Sequence, residues 1–175
     1  SAASDVYKRQ FYGSWSLVLD ALWRFDPDLA AWAANVRSDC HLDAEDRDGK
    51  PSVSEAITVN PDLTPWVILN YNVTYRDIVR IAHELGHATH YMAAGNHSPL
   101  CYEPTFLVGE VAAAFAELLL DDKLPLERWN EVLQPDILIA KLAERFAGLM
   151  VQAQFLTFER QSHGLTQSGA SVGEL

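Results

Sequence analysis

The stretch IAHELGHATHYMAAG, residues 81–95, gathers three histidines and a glutamate into a short span. A helix advances about 100° per residue, so His87 falls about 40° from His83 and one turn further along the axis. Both imidazoles then point the same way, the arrangement that puts two nitrogens on one zinc ion at about 2.0–2.1 Å each. Glu84 sits beside them without taking a ligand position, within reach of a water on such an ion. That is the physical content of the H-E-x-x-H pattern, which points to metal-assisted hydrolysis with Glu84 as general base. Gly86 inside the pattern costs a helix about 1 kcal/mol relative to alanine, so its presence predicts the close approach of another element. His90 shares the face but lies about 10 Å from His83 along the axis. One ion cannot take all three from an unbroken helix, so His90 reads as a residue behind the ligands or facing substrate.

A catalytic zinc takes three protein ligands and keeps one position open. The third must come from elsewhere, and residues 102–122, YEPTFLVGEVAAAFAELLLDD, offer Glu103, Glu110 and Glu117. Glu110 is the best candidate, because a carboxylate amid Phe106, Leu107, Val108 and Val111 is costly unless paired or bound to metal. Glu117, two turns on, is placed to accept a hydrogen bond from a ligand histidine. Glu103 precedes Pro104 and suits a turn.

These residues need elements to hold them. Thr74 followed by Asp77 predicts a capped helix start. Ile78, Ile81, Ala82, Leu85, Ala88 and Met92 give that helix an apolar stripe, and Gly95 a stop. A second helix is expected from about Pro104 to Leu120, its alanines 112, 113, 114 and 116 allowing close packing on the first. Upstream, SWSLVLDALWR has helical spacing, and Asp26 before Pro27 starts another helix. Residues 38–73 change character, with CHLDAE, AITV and WVILNYNV predicting two or three short strands. Pro125 opens a short helix, and a long one runs from Pro135 to His163, closed by Gly164. The fold class is mainly α with a small β element.

The chain has 175 residues, 49% hydrophobic and 21% charged, which reads as a soluble globular domain. A net charge of −11 argues against a nucleic-acid partner, and no apolar run reaches the roughly 18 residues of a membrane span. Two cysteines, Cys40 and Cys101, make no metal or disulfide framework and suggest a reducing, cytoplasmic setting, bacterial by the resemblance below. The first ten residues, SAASDVYKRQ, resemble the translated read-through of a sequencing adapter, so 1–10 is expected to be non-native and 11–175 the protein proper.

LNYNVTYRDIVRIAHELGHATH and YEPTFLVGEVAAAFAELLL resemble the core of the oligoendopeptidase F branch of the thimet-oligopeptidase-like zinc metallopeptidases. FDPDLA, HLDAEDRDGK and FLTFERQSHG resemble its flanking segments, so the likeness runs over nearly all of 15–165. It implies a zincin-like helical catalytic domain, here partial, with one zinc ion on His83, His87 and Glu110, Glu84 as the catalytic residue, and short peptides as substrates. It also implies a large N-terminal lobe and later His and Tyr residues that would lie outside 1–175. Two other readings stay open: a zinc-binding or structural helical module without turnover, and an unrelated zincin such as an aminopeptidase. The oligomeric state is not legible.

Overall fold

The computed structural model describes residues 2–123, 134–171 and 173. The chain divides into two compact units, 1–125 and 126–175. In the first, helices α1 (Ala2–Phe25) and α2 (Pro27–Ser38) lead into a three-stranded sheet, and helices α3 (Tyr75–Ala93) and α4 (Phe106–Lys123) follow it. The strands are β1 (Leu42–Glu45), β2 (Glu55–Ile57) and β3 (Trp66–Tyr71), in the order β1-β3-β2. β3 pairs parallel with β1, with a bulge between Asp43 and Glu45, and antiparallel with β2, which is left as an edge strand. Among the described residues no helix is long and apolar enough to cross a membrane.

Local chemistry accounts for these elements. Asp26 caps α2 by accepting from the Asp28 N–H at 2.8 Å, and Pro27 occupies the first helical position, where its missing N–H costs nothing. Residues 42–71 alternate or are β-rich, and the central strand sends Val67, Leu69 and Tyr71 into the core. The buried ammonium of Lys50 ties the bulge down by donating to the Asp43 and Glu45 carbonyls, the Asp43 carboxylate and the Leu69 carbonyl. Arg47 and Lys50 together hold the Asp43 carboxyl down to about 2, with the Arg47 hydrogen bonds the leading cause and burial opposing them.

The entry to α3 is fixed tightly. The buried Asp77 carboxylate accepts from the Asn72 N–H (2.9 Å), the Thr74 N–H (2.8 Å) and the Thr74 hydroxyl (2.7 Å). Thr74 Oγ1 in turn accepts from the Asp77 N–H, completing a capping box. Between them Val73 is held at φ 62°, a left-handed conformation that costs a β-branched residue roughly 1–3 kcal/mol. The start of α3, and so the position of His83 two turns on, is set by this turn.

α3 and α4 meet at Gly86. A Cβ there would stand 2.7 Å from the Ala113 Cα, 2.8 Å from the Ala112 carbonyl oxygen and 3.0 Å from the Ala116 Cβ. Ala113 and Ala116 are buried against it, with Leu85, Ala82 and Leu120 extending the contact layer.

α1 runs unbroken from Ala2 past residue 10, and Tyr7 donates to the Ala44 and Tyr71 carbonyls with its ring edge-on to Tyr71. Two helix ends differ from expectation. α3 ends at Ala93, and Gly95 lies in a 3₁₀ turn (Ala94–Asn96), where the Pro61 carbonyl approaches to 3.1 Å of where a Cβ would stand. The second unit contains α5 (Gln134–Gln167), which passes straight through Gly164, since one glycine weakens a helix by about 1 kcal/mol without breaking it. The left-handed glycine after α5 is Gly169, at φ 88°. The short helix expected at Pro125 lies outside the described residues.

The Gly86 contact makes a testable case. On a free helix Gly→Ala stabilises, but here the added Cβ meets backbone that cannot rotate away. Gly86→Ala is expected to cost about 1–3 kcal/mol, the scale of overpacking, and to lower the melting temperature by several degrees. A melt in which Gly86→Ala equals or exceeds the parent would show that the two helices are not in close contact.

Candidate metal centre

Gly86 lies between His83 and His87 on α3, and Ala113 lies between Glu110 and Glu117 on α4, so the closest helix contact sits at the middle of four candidate residues. His83 Nε2 and His87 Nε2 stand 3.2 Å apart, with the rings edge to face. The Glu110 carboxylate straddles them, Oε2 at 3.8 Å from His83 Nε2 and Oε1 at 3.7 Å from His87 Nε2. Two donors on a tetrahedral ion, each about 2.0–2.1 Å away, are about 3.3 Å apart. The triangle is therefore close to the size such an ion needs, with Glu110 slightly wide. His83, His87 and Glu110 are the one set among the described residues whose donor atoms gather closely enough for a metal.

The tautomers favour a cation in the triangle. Glu117 Oε1 accepts from His83 Nδ1–H at 2.7 Å, which leaves the His83 Nε2 lone pair pointing at His87 Nε2. Two ring nitrogens 3.2 Å apart need a hydrogen or a cation between them, and a His87 Nε2–H donating to His83 Nε2 supplies the hydrogen in the metal-free protein. Burial pulls the His83 pKa down, but the Glu117 hydrogen bond and the Glu84, Glu117 and Glu110 charges outweigh it and raise the pKa overall. Burial and then the neighbouring His83 charge lower that of His87.

Glu84 is buried at 5% exposure on the same helix. Burial pushes its carboxyl up to about 7, with Glu110 adding and both the His83 charge and the Ala56 backbone N–H of β2 opposing. β2 is an edge strand, and Glu84 meets it at Ala56. The sequence carried no signal for this neighbour, because β2 and α3 are brought together only by the sheet order. It was equally silent on Tyr91, whose phenol is pushed up by burial, then by Glu103, Glu84 and Glu55.

The other candidates separate. His90 is half-buried one turn beyond His87 and takes no part in the triangle, and its Nδ1 is buried with no hydrogen-bond partner among the described residues. Glu103 lies in the loop before α4, near Tyr91 rather than the histidines. The expectation that Glu110 is buried among apolar neighbours needs correction. Its side chain is 42% exposed, and Phe106, Leu107, Val108 and Val111 are exposed too. The buried stripe of α4 is Gly109, Ala113, Ala116 and Leu120, and Glu110 stands at its edge, where the carboxylate keeps water on one side.

Glu84 gives a pH signature with a definite sign. A carboxyl raised in the folded state lends stability below its unfolded pKa of about 4.3 and loses it as pH rises through the folded value. In metal-free protein, Glu84→Gln removes that loss. The variant is expected to melt above the parent at pH 8, with the difference shrinking toward pH 4. A pH-independent difference in melting temperature would contradict the buried, proton-holding Glu84.

Known proteins resemble this chain over the same region. No family model matches it. It is 28% identical over 131 residues to the chromosomal oligoendopeptidase F of Lactococcus lactis subsp. cremoris, a match spanning 73% of this chain and 21% of that protein. It is 28% identical over 98 residues to an oligoendopeptidase F homolog of Mycoplasma genitalium, spanning 55% of this chain and 16% of the relative. An oligoendopeptidase F homolog of Mycoplasma pneumoniae is 30% identical over 108 residues, spanning 58% and 17%. A crystal structure of a candidate peptidase from Chlamydophila abortus superposes with a TM-score of 0.73 at 25% identity, covering 91% of this chain and 27% of that one. The chain is thus oligoendopeptidase F-like in sequence and peptidase-like in fold, and it spans about a fifth of the length of the curated relatives it matches.

Proposed function

We propose that residues 11–175 form the metal-bearing part of a zinc-dependent endopeptidase that cleaves short peptides in a bacterial cytoplasm. The observation that carries this reading is the convergence of His83, His87 and Glu110 on one point with the buried Glu84 beside it. Two imidazoles and one carboxylate, with a fourth side open, are the donor set of a catalytic rather than a structural zinc. Zinc bound there would polarise the scissile carbonyl and make water a stronger acid.

The chain's own residues do the rest. Glu84 takes one proton from the attacking water and delivers it to the leaving nitrogen, and the second water proton follows it there, so that an amide and water become a carboxylate and an ammonium. A carboxyl whose pKa stands at about 7 both accepts and releases a proton near neutrality. Glu117 keeps the His83 proton on Nδ1 and frees Nε2 for the ion. β2 is an edge strand, along which an extended peptide would lie as an added strand.

Three measurements test this. Zinc at a hundredfold excess over its dissociation constant should stabilise the protein by about 2.7 kcal/mol. His87→Ala should abolish that shift, and Glu117→Gln should weaken zinc binding about 10–100-fold. In the full-length gene product, Glu84→Gln should bind zinc normally and lose about 10²-fold or more in hydrolysis of a quenched fluorescent peptide. Near-full activity of Glu84→Gln would remove the general-base role. A parent protein that binds zinc and cleaves nothing in a broad peptide library would instead be a metal-binding module.

A further inference from the structure

The sheet has a second face that the metal centre does not use. Val67, Leu69 and Tyr71 of β3 point into the core, so Trp66 and Ile68 point away from it. Ile57 of β2 is in register with Trp66, and His41, one residue before β1, stacks on the Trp66 ring at 3.9 Å between centroids and 21° between planes. His41, Trp66 and Ile57 thus form one row straight across the sheet, from its β1 side to the open edge of β2. Over this row lies a cavity of about 450 Å³, whose lining also includes Ile68, Val59 and Asp43, the last already paired with Arg47 and Lys50. The size and the apolar, aromatic walls are those of a small-molecule or side-chain site. His41 Nδ1 donates to the Thr64 carbonyl at 2.7 Å, so the imidazole is held as a flat wall rather than left to rotate.

The row ends where a bound peptide would begin. Ala56, beside Glu84, is the residue before Ile57 on the edge strand. In a strand added to that edge, the residue opposite Ile57 puts its side chain on the same face as Ile57, about 4.5–5.5 Å away between Cβ atoms. Its neighbour, opposite Ala56, points the other way, toward α3 and Glu84. We propose that the His41–Trp66–Ile57 row is a specificity subsite taking an aromatic side chain of a peptide, one residue along from the position that faces Glu84. The part that concerns peptide cleavage rests on the proposed function. The pocket itself does not, because neither its walls nor its volume involves a metal ligand.

The test keeps the two apart. N-acetyl-phenylalaninamide is titrated into the ¹⁵N-labelled 175-residue chain while the tryptophan indole N–H signals are followed, with Trp66 assigned by its loss in Trp66→Phe. The Trp66 signal should shift saturably, and do so equally in His83→Ala/His87→Ala protein. N-acetyl-glycinamide should leave it unmoved. Absence of a saturable Trp66 shift, or an equal response to the glycine analogue, would overturn the subsite whatever the metal centre does. In the full-length gene product, Ile57→Gly and Trp66→Ala should remove a preference of tenfold or more in kcat/KM for a phenylalanine over a glycine peptide, with zinc affinity unchanged. A preference that survives both substitutions would place the aromatic side chain elsewhere.

Discussion

Everything at the candidate metal centre depends on how closely two helix backbones approach. Packed helices usually keep axes 8–10 Å apart, and side chains of unequal length must then bridge the gap. Here a glycine faces alanines, so main-chain atoms touch, and a short glutamate on one helix comes level with imidazoles on the other. The contact lies inside the ligand set rather than at its margin. Any widening is transmitted undiluted to Glu110 and Glu117, which approach from the same helix on either side of Ala113.

The same closeness creates an electrostatic problem that the residues solve together. Glu84, Glu110 and Glu117 bring three carboxylates to two imidazoles, with Glu84 largely out of water. Burial works against the charged forms of Glu84 and of both imidazoles. The Glu117 hydrogen bond holds one histidine proton in place, while Glu84 is left near its neutral form. The strained turn at Val73 and the Asp77 cage serve the same end, by fixing where α3 begins.

The helix carrying His83, Glu84 and His87 was legible in the sequence down to its cap, because the box at Thr74 and Asp77 and the apolar stripe are local signals. Gly86 was legible as a contact because a glycine inside a helix is disfavoured without a reason. Two or three strands could be read from their composition, but not their order, so the neighbourhood of Glu84 and Ala56 was invisible. The exposure of Glu110 was misread for a related reason. Its apolar neighbours in sequence suggested burial, whereas the helix turns its glycine and alanines inward and leaves the larger side chains outside. Gly164 was misread as a stop because a glycine in a helix is a cost, not a command.

The donors of the centre all come from α3 and α4, which are consecutive in the chain and joined by one loop. An ion held there would act as a reversible cross-link closing a short loop. Short loops lose little entropy on closure, and structures rich in local contacts form quickly. The helical pair is therefore the kind of unit that folds early and can be carried between proteins as a piece.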